Sequence, residues 1–287
     1  MPTTFRSAAI ASLVLIAACQ SGTVPNQVLT KPAPVHAPPP VVRSAGSWVY
    51  RVSTAPQRFT VDQNAVIVVG LDTAARTDTV SSHAEITFSN TPATRGVNGT
   101  VSALLVRGAG RTATTPPGLQ VPFPFRAAYR DDGRQLEFIA PADVTPCSST
   151  QLAAVQSLRD VWLETPDTLR VGSTWSDSSS YVTCRDGIAL HATIHRMFHV
   201  AASTVRDGRT LLSVARLSRT LVEGRGVQFG DSVTVSGAGN GQLAYELDPS
   251  SGEMSSANGT ATLDLSLRGS QRTQIVRQTV EIRISRR

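Results

Sequence analysis

From Ile188 to Val200 the chain alternates apolar and polar residues with a period of two. Ile188, Leu190, Ala192, Ile194, Phe198 and Val200 share one set of positions, and Arg196 is the exception among them. Val280, Ile282 and Ile284 alternate in the same way with Thr279, Glu281 and Arg283. Ala261, Leu263, Leu265 and Leu267 do so again. Side chains on a strand point to opposite faces in turn, so this pattern predicts half-buried strands of an antiparallel sheet. About a dozen such runs follow Trp48. They are punctuated by Asp132-Gly133, Asp186-Gly187, Asp207-Gly208, Asn98-Gly99, Asn258-Gly259 and Asp248-Pro-Ser-Ser-Gly252, all read as turns. The expected fold is mostly β, an antiparallel barrel or sandwich.

One segment departs from this pattern. Leu152, Val155, Leu158 and Trp162 have helical spacing, Ser148 or Ser149 can cap the start, and Pro166 follows the end. A helix is therefore expected near 150–163. It would divide the domain into sub-halves 48–145 and 170–287, which leaves a diverged duplication open.

Composition narrows the function classes. The formal net charge is +6 and aromatic residues make up 5% of the chain. Lys31 is the only lysine, and the arginines are spread along the chain without a cluster that would track phosphates. Nucleic acid is not expected as a partner. After Cys19, two cysteines remain, Cys147 and Cys184. In an oxidising compartment such a pair most simply forms one disulfide, contributing roughly 4 kcal/mol on the chain-entropy account.

Candidate chemistry is sparse. His191, His195 and His199 are four apart, a spacing that on a helix would suit zinc. Their neighbours instead define a strand, on which residues four apart lie roughly 13 Å from each other. These three are candidate metal ligands only if other strands supply the rest. Gly237-Ala-Gly-Asn-Gly241 lacks the strand-to-helix setting of a phosphate loop and is read as a structural glycine run between strands 232–236 and 242–247. No Gly-x-Ser-x-Gly elbow is present. The carboxylates Asp131, Asp132, Asp186, Asp207 and Asp248 sit at expected turns. No catalytic residue and no cofactor site is assigned. An acid–base pair could still converge from Glu85, Glu137, Glu223 or Glu281.

The amino-terminal region says most about location. Arg6 precedes an uncharged apolar run, Ser7 to Ala18, too short to span a bilayer and typical of a signal peptide. It ends in Ile16-Ala17-Ala18-Cys19, which resembles the lipobox of bacterial lipoproteins. The resemblance implies removal of residues 1–18 and lipidation of Cys19. Because Gln20 rather than aspartate follows, it also implies passage to the outer membrane, facing the periplasm or the cell surface. Residues 19–47, rich in proline from Pro25 to Pro40, read as a semi-rigid tether. Residues 48–287 form the exported β domain. The domain loosely resembles exported β-rich lipoproteins without an assigned role. The expected partners are a membrane, through the lipid, and either an apolar ligand held in the barrel or another envelope protein.

Overall fold

The computed structural model describes residues 46–70, 75–91, 96–129, 136–139, 147–185, 187–228, 230–270 and 273–287. The signal peptide, Cys19, most of the tether, Asp132-Gly133 and Asp186 lie outside these residues. Thirteen strands are present among them. β1 (Ser47–Val49) and β7 (Thr168–Arg170) pair as a separate two-stranded ribbon.

The other eleven are β2 (Gln57–Val69), β3 (Arg76–Thr91), β4 (Gly96–Gly108), β5 (Phe123–Tyr129), β6 (Leu136–Phe138), β8 (Thr174–Arg185), β9 (Ile188–Arg206), β10 (Arg209–Gln228), β11 (Asp231–Asp248), β12 (Glu253–Arg268) and β13 (Thr273–Arg286). They form one antiparallel sheet in the order β6-β5-β4-β3-β2-β13-β12-β11-β10-β9-β8. The sheet curls into a nearly closed barrel. Strands from both sides of the helix enter it and meet where β2 pairs with β13.

Period two decides which face is inside. Phe59 and Val61 on β2, Leu190 and Val200 on β9, and Leu265 on β12 point inward and are almost fully buried. Asp62, His83, His191, Arg219, Asp264 and Arg277 occupy intervening positions on the outer face. Two apolar clusters fill the two ends of the lumen. One is built around Phe59, Phe88, Trp162 and Leu212, the other around Ile67, Leu190, Val235 and Leu265. Each Leu, Ile or Phe so buried stabilises the fold by about 1.5–3 kcal/mol.

Two predicted turns are corrected. Asn98-Gly99 lies inside β4 and Asn258-Gly259 inside β12. Asn-Gly is a turn signal only when the chain reverses there. Here the glycine is needed because a neighbouring strand comes too close for a side chain. A Cβ on Gly259 would sit 1.9 Å from the Gln242 carbonyl oxygen, and one on Gly99 would sit 2.3 Å from the Phe125 ring. The run from Gly237 to Gly241 does not separate two strands either, since β11 continues through it. A Cβ on Gly239 would meet the Thr262 carbonyl oxygen at 2.3 Å. Such glycines let strands bend and coil tightly enough to close a barrel. True reversals occur at Asp207-Gly208, both with positive φ, and at Asp248–Gly252, where the Asp248 carboxylate accepts from the Ser250 and Ser251 backbone N–H groups.

The helix is shorter than expected. α1 spans Thr150–Ser157, a 3₁₀ turn follows at Arg159–Val161, and Ser149 rather than Ser148 caps the start by accepting from the Leu152 N–H. α1 touches both β6 and β8, the two free edges of the sheet, and so covers the seam of the barrel. Covering an edge satisfies a surface that would otherwise invite pairing with another chain. The Cys147–Cys184 disulfide ties the segment entering α1 to β8. At the other end of α1, Gln63 on β2 donates to the Ser157 carbonyl, which draws the helix terminus into the lumen.

Candidate ligand site inside the barrel

The 3₁₀ turn after α1 carries Arg159 and Asp160 into the middle of the lumen, between the two apolar clusters. Trp162 follows and anchors the turn, with its ring 5.3 Å from Phe88, 5.5 Å from Phe125 and 5.3 Å from Phe138. The returning chain is held by the Trp175 indole, which donates to the Glu164 carbonyl and stacks on Phe198.

Around Arg159 and Asp160 the barrel wall contributes a polar belt. Asp177 on β8 and Arg196 on β9 are direct cross-strand partners, and their side chains pair at 2.6 Å. Arg196 also donates to Ser179. Arg216 on β10 pairs with Asp160 and donates to the Tyr245 hydroxyl at 2.9 Å. Arg159 donates to Ser179 at 3.1 Å and to the Gln156 carbonyl, and its guanidinium lies 3.8 Å from the Tyr181 ring centre. Among the described residues no carboxylate forms an ion pair with Arg159.

The electrostatics follow from burial and pairing. Burial pushes the Asp160 carboxyl up, but the adjacent Arg216 overrides this and holds it below the ordinary carboxylate range. Burial also works against the Arg216 charge, and the attraction of Asp160 more than restores it. For Arg159 burial outweighs the attraction of Tyr181, Asp160 and Asp177, Arg196 adds repulsion, and its pKa is lowered. Tyr245 is pushed up to about 12 by burial and stays a neutral hydroxyl.

A cavity of about 130 Å³ opens beside this belt. Arg159, Asp160, Tyr181, Arg216 and Gln278 line it together with Ile194, Ala261, Leu263, Val280 and Ile282. Gly241 faces it without a side chain, which leaves room at the wall.

The residues singled out from the sequence lie elsewhere. His191, His195 and His199 are on the outer face of β9, opposite Glu223, Arg219 and Ala215 on β10. Among the described residues no three His, Cys, Asp or Glu side chains gather as a metal site. A shallow groove of about 620 Å³ on the outer face is lined by Asp62, His83, Arg107, Glu281 and Arg283. His83 Nδ1 lies 2.7 Å from Asp62, its Nε2 lies 3.8 Å from Glu85, and the nearby Ser81 hydroxyl accepts from Arg107. Among the described residues no hydroxyl is bonded to the His83 ring, so the groove presents no activated nucleophile. The belt itself was missed from the sequence. Its one visible trace was Arg196, a charge at an inward position of a strand.

No family model matches the chain, and no curated protein matches it. Solved structures with some likeness include Pseudomonas aeruginosa OpdQ, at 7% identity over 80% of this chain and 99% of that one, with a TM-score of 0.26. The outer membrane protein OprD of the same organism gives 8% identity over 86% and 97%, with a TM-score of 0.25. A DUF1329 family protein from Desulfovibrio piger gives 7% over 78% and 83%, with a TM-score of 0.16. TM-scores this low carry no argument about function or membrane insertion. The chain's own chemistry does bear on insertion. A membrane-crossing barrel needs an outward apolar band about 25 Å tall. Here, among the described residues, charged and polar side chains run along the outer face between exposed apolar ones such as Met197, Leu217 and Leu221, while the deeply buried apolar residues face the lumen.

Proposed function

We propose that this chain is an exported lipoprotein, anchored through Cys19, whose barrel holds a small apolar or amphiphilic ligand at the cell envelope. The observation that carries this reading is the cavity between apolar clusters and a polar belt, inside a barrel whose outer wall is mostly polar. Pockets of this kind, mostly apolar with a few convergent polar groups, are the usual form of small-ligand sites. At about 130 Å³ the cavity is close to an engineered cavity of about 150 Å³ that takes up benzene. It suits one ring or a short chain, and a longer chain would require α1 to lift from the seam.

Native mass spectrometry of the full chain, recovered from the membrane fraction of a Gram-negative host, tests the ligand. A small-molecule adduct released on unfolding is expected. Bare protein in every preparation, with no uptake of benzyl alcohol or hexanol on titration, would sink the reading. The anchor is tested separately. Cys19→Ser is expected to abolish palmitate labelling, because the thiol that would carry the lipid is gone. Labelling that survives the substitution would remove Cys19 from its role.

A second reading, an interaction component of the envelope, is favoured by one observation. Met197 and Leu217 lie directly opposite each other on the outer face of β9 and β10 and are 63% and 57% exposed. Crosslinking in cells distinguishes a protein partner from a small ligand.

A further inference from the structure

The belt carries more positive charge than it neutralises. Arg159, Arg196 and Arg216 share Asp160 and Asp177, which leaves one guanidinium without an ion pair of its own inside the lumen. Asp177 is committed to Arg196 and Asp160 to Arg216, so the unmatched cation is Arg159. Arg159 is half-buried and hydrogen-bonded to Ser179 and the Gln156 carbonyl, but a cation drawn into a lumen without an ion pair is costly and favours a counter-charge. A second observation points the same way. Arg216 is only 4% exposed and lines the cavity, yet its Nε has no hydrogen-bond partner. Two donors of guanidinium type therefore border one small space that Ala261, Leu263, Val280 and Ile282 also line.

We infer that the cavity takes an anionic amphiphile: a carboxylate or phosphoryl headgroup bound by Arg159 and the Arg216 Nε, with a small apolar body against Ala261, Leu263, Val280 and Ile282. This rests on the ligand-binding reading above and narrows its chemistry. Guanidinium groups bind carboxylate and phosphate through short, charge-assisted hydrogen bonds, stronger than those between neutral groups. The headgroup supplies the missing counter-charge. The stacking of Arg159 on Tyr181 fixes the plane from which its donors are presented.

Four ligands of nearly one shape test the charge. The full chain is titrated by calorimetry with benzoate, phenyl phosphate, benzyl alcohol and benzylamine, with inorganic phosphate as a control. At least one of the two anions is expected to bind tenfold or more tightly than benzyl alcohol, and benzylamine is expected to be weakest. Whichever anion leads identifies the headgroup class. Arg159→Met is expected to abolish the difference between the leading anion and benzyl alcohol, both measured on the variant. If that variant does not fold, the ranking on the natural chain decides the matter by itself. Equal affinity for benzoate, phenyl phosphate and benzyl alcohol overturns this inference and leaves the ligand-binding reading standing. Inorganic phosphate binding as tightly as phenyl phosphate also overturns it, since the apolar wall would then play no part. Failure of all four ligands removes both.

Discussion

Replacing Asp160 with alanine lowers the stability of the barrel by about 3 kcal/mol or more, the usual cost of leaving one partner of a buried ion pair alone. Asp160 is the carboxylate that Arg216 needs, and Arg216 is almost fully buried on the inner face of β10. Without Asp160, the three arginines of the belt face Asp177 alone. For a chain of this size the fall in melting temperature is roughly 6–12 °C, taking about 2–4 °C per kcal/mol. The double change Asp160→Leu with Arg216→Met is expected to recover most of the loss, because it removes both charges and leaves volume behind. Urea unfolding of the natural chain, the single variant and the double variant measures the coupling. A single-variant loss below about 1 kcal/mol would mean that the pair behaves as an exposed one. The pH dependence has a definite sign. The folded-state pKa of Asp160 is depressed, so its contribution is fully present above the ordinary carboxylate value of about 3.9. It is lost as pH falls through the lower folded value. The natural chain therefore weakens on acidification below about pH 4 by a term that Asp160→Asn lacks.

Much of the wall was legible in the sequence, because the wall is made by the alternation of side chains. The Ile188–Val200 pattern forms β9, and its three histidines fall on the outer face as period two requires. The Gln278–Ser285 pattern forms the part of β13 that joins the two ends of the chain. Asn98-Gly99 and Asn258-Gly259 misled because a glycine required by a close strand crossing looks the same, locally, as one required by a turn. Only the opposing strand distinguishes them, and its contacting residues are a dozen or more positions away, Gln242 for Gly259 and Thr87 and Phe125 for Gly99. The site was hidden for a related reason. Arg159 and Asp160 sit at the end of a short amphipathic segment, where a charged pair reads as solvated surface. They became interior residues because α1 turns inward at the seam, held by Gln63 and by the aromatic cage around Trp162. Arg196 was visible as a break in the pattern, but it gains meaning only beside Asp177, which lies on a different strand.

Reduction of Cys147–Cys184 is expected to lower stability by about 4 kcal/mol, since the bond closes a loop with a sequence separation of 37. The location of the bond makes the consequence more than a general weakening. β8 is the last strand on one side of the sheet, and α1 is what covers its free edge. Once the bond is cut, the start of α1 is held mainly by the Ser149 cap and by Ala154 and Val155 packing into the core. Amide exchange should therefore rise first in α1 and along β8, ahead of global unfolding, while β12 and β13 at the centre of the sheet stay protected. The exposed edge of β8 would then present unpaired backbone groups, so the reduced protein is expected to self-associate at concentrations the oxidised protein tolerates. Hydrogen exchange with and without a reducing agent, together with Cys147→Ser, checks this. Equal protection of β8 in both states would show that packing alone closes the seam. Unequal protection would make the seam the weakest part of the barrel and the route by which a ligand longer than the cavity could enter. Closure of that route therefore depends on the disulfide forming, which an oxidising compartment favours.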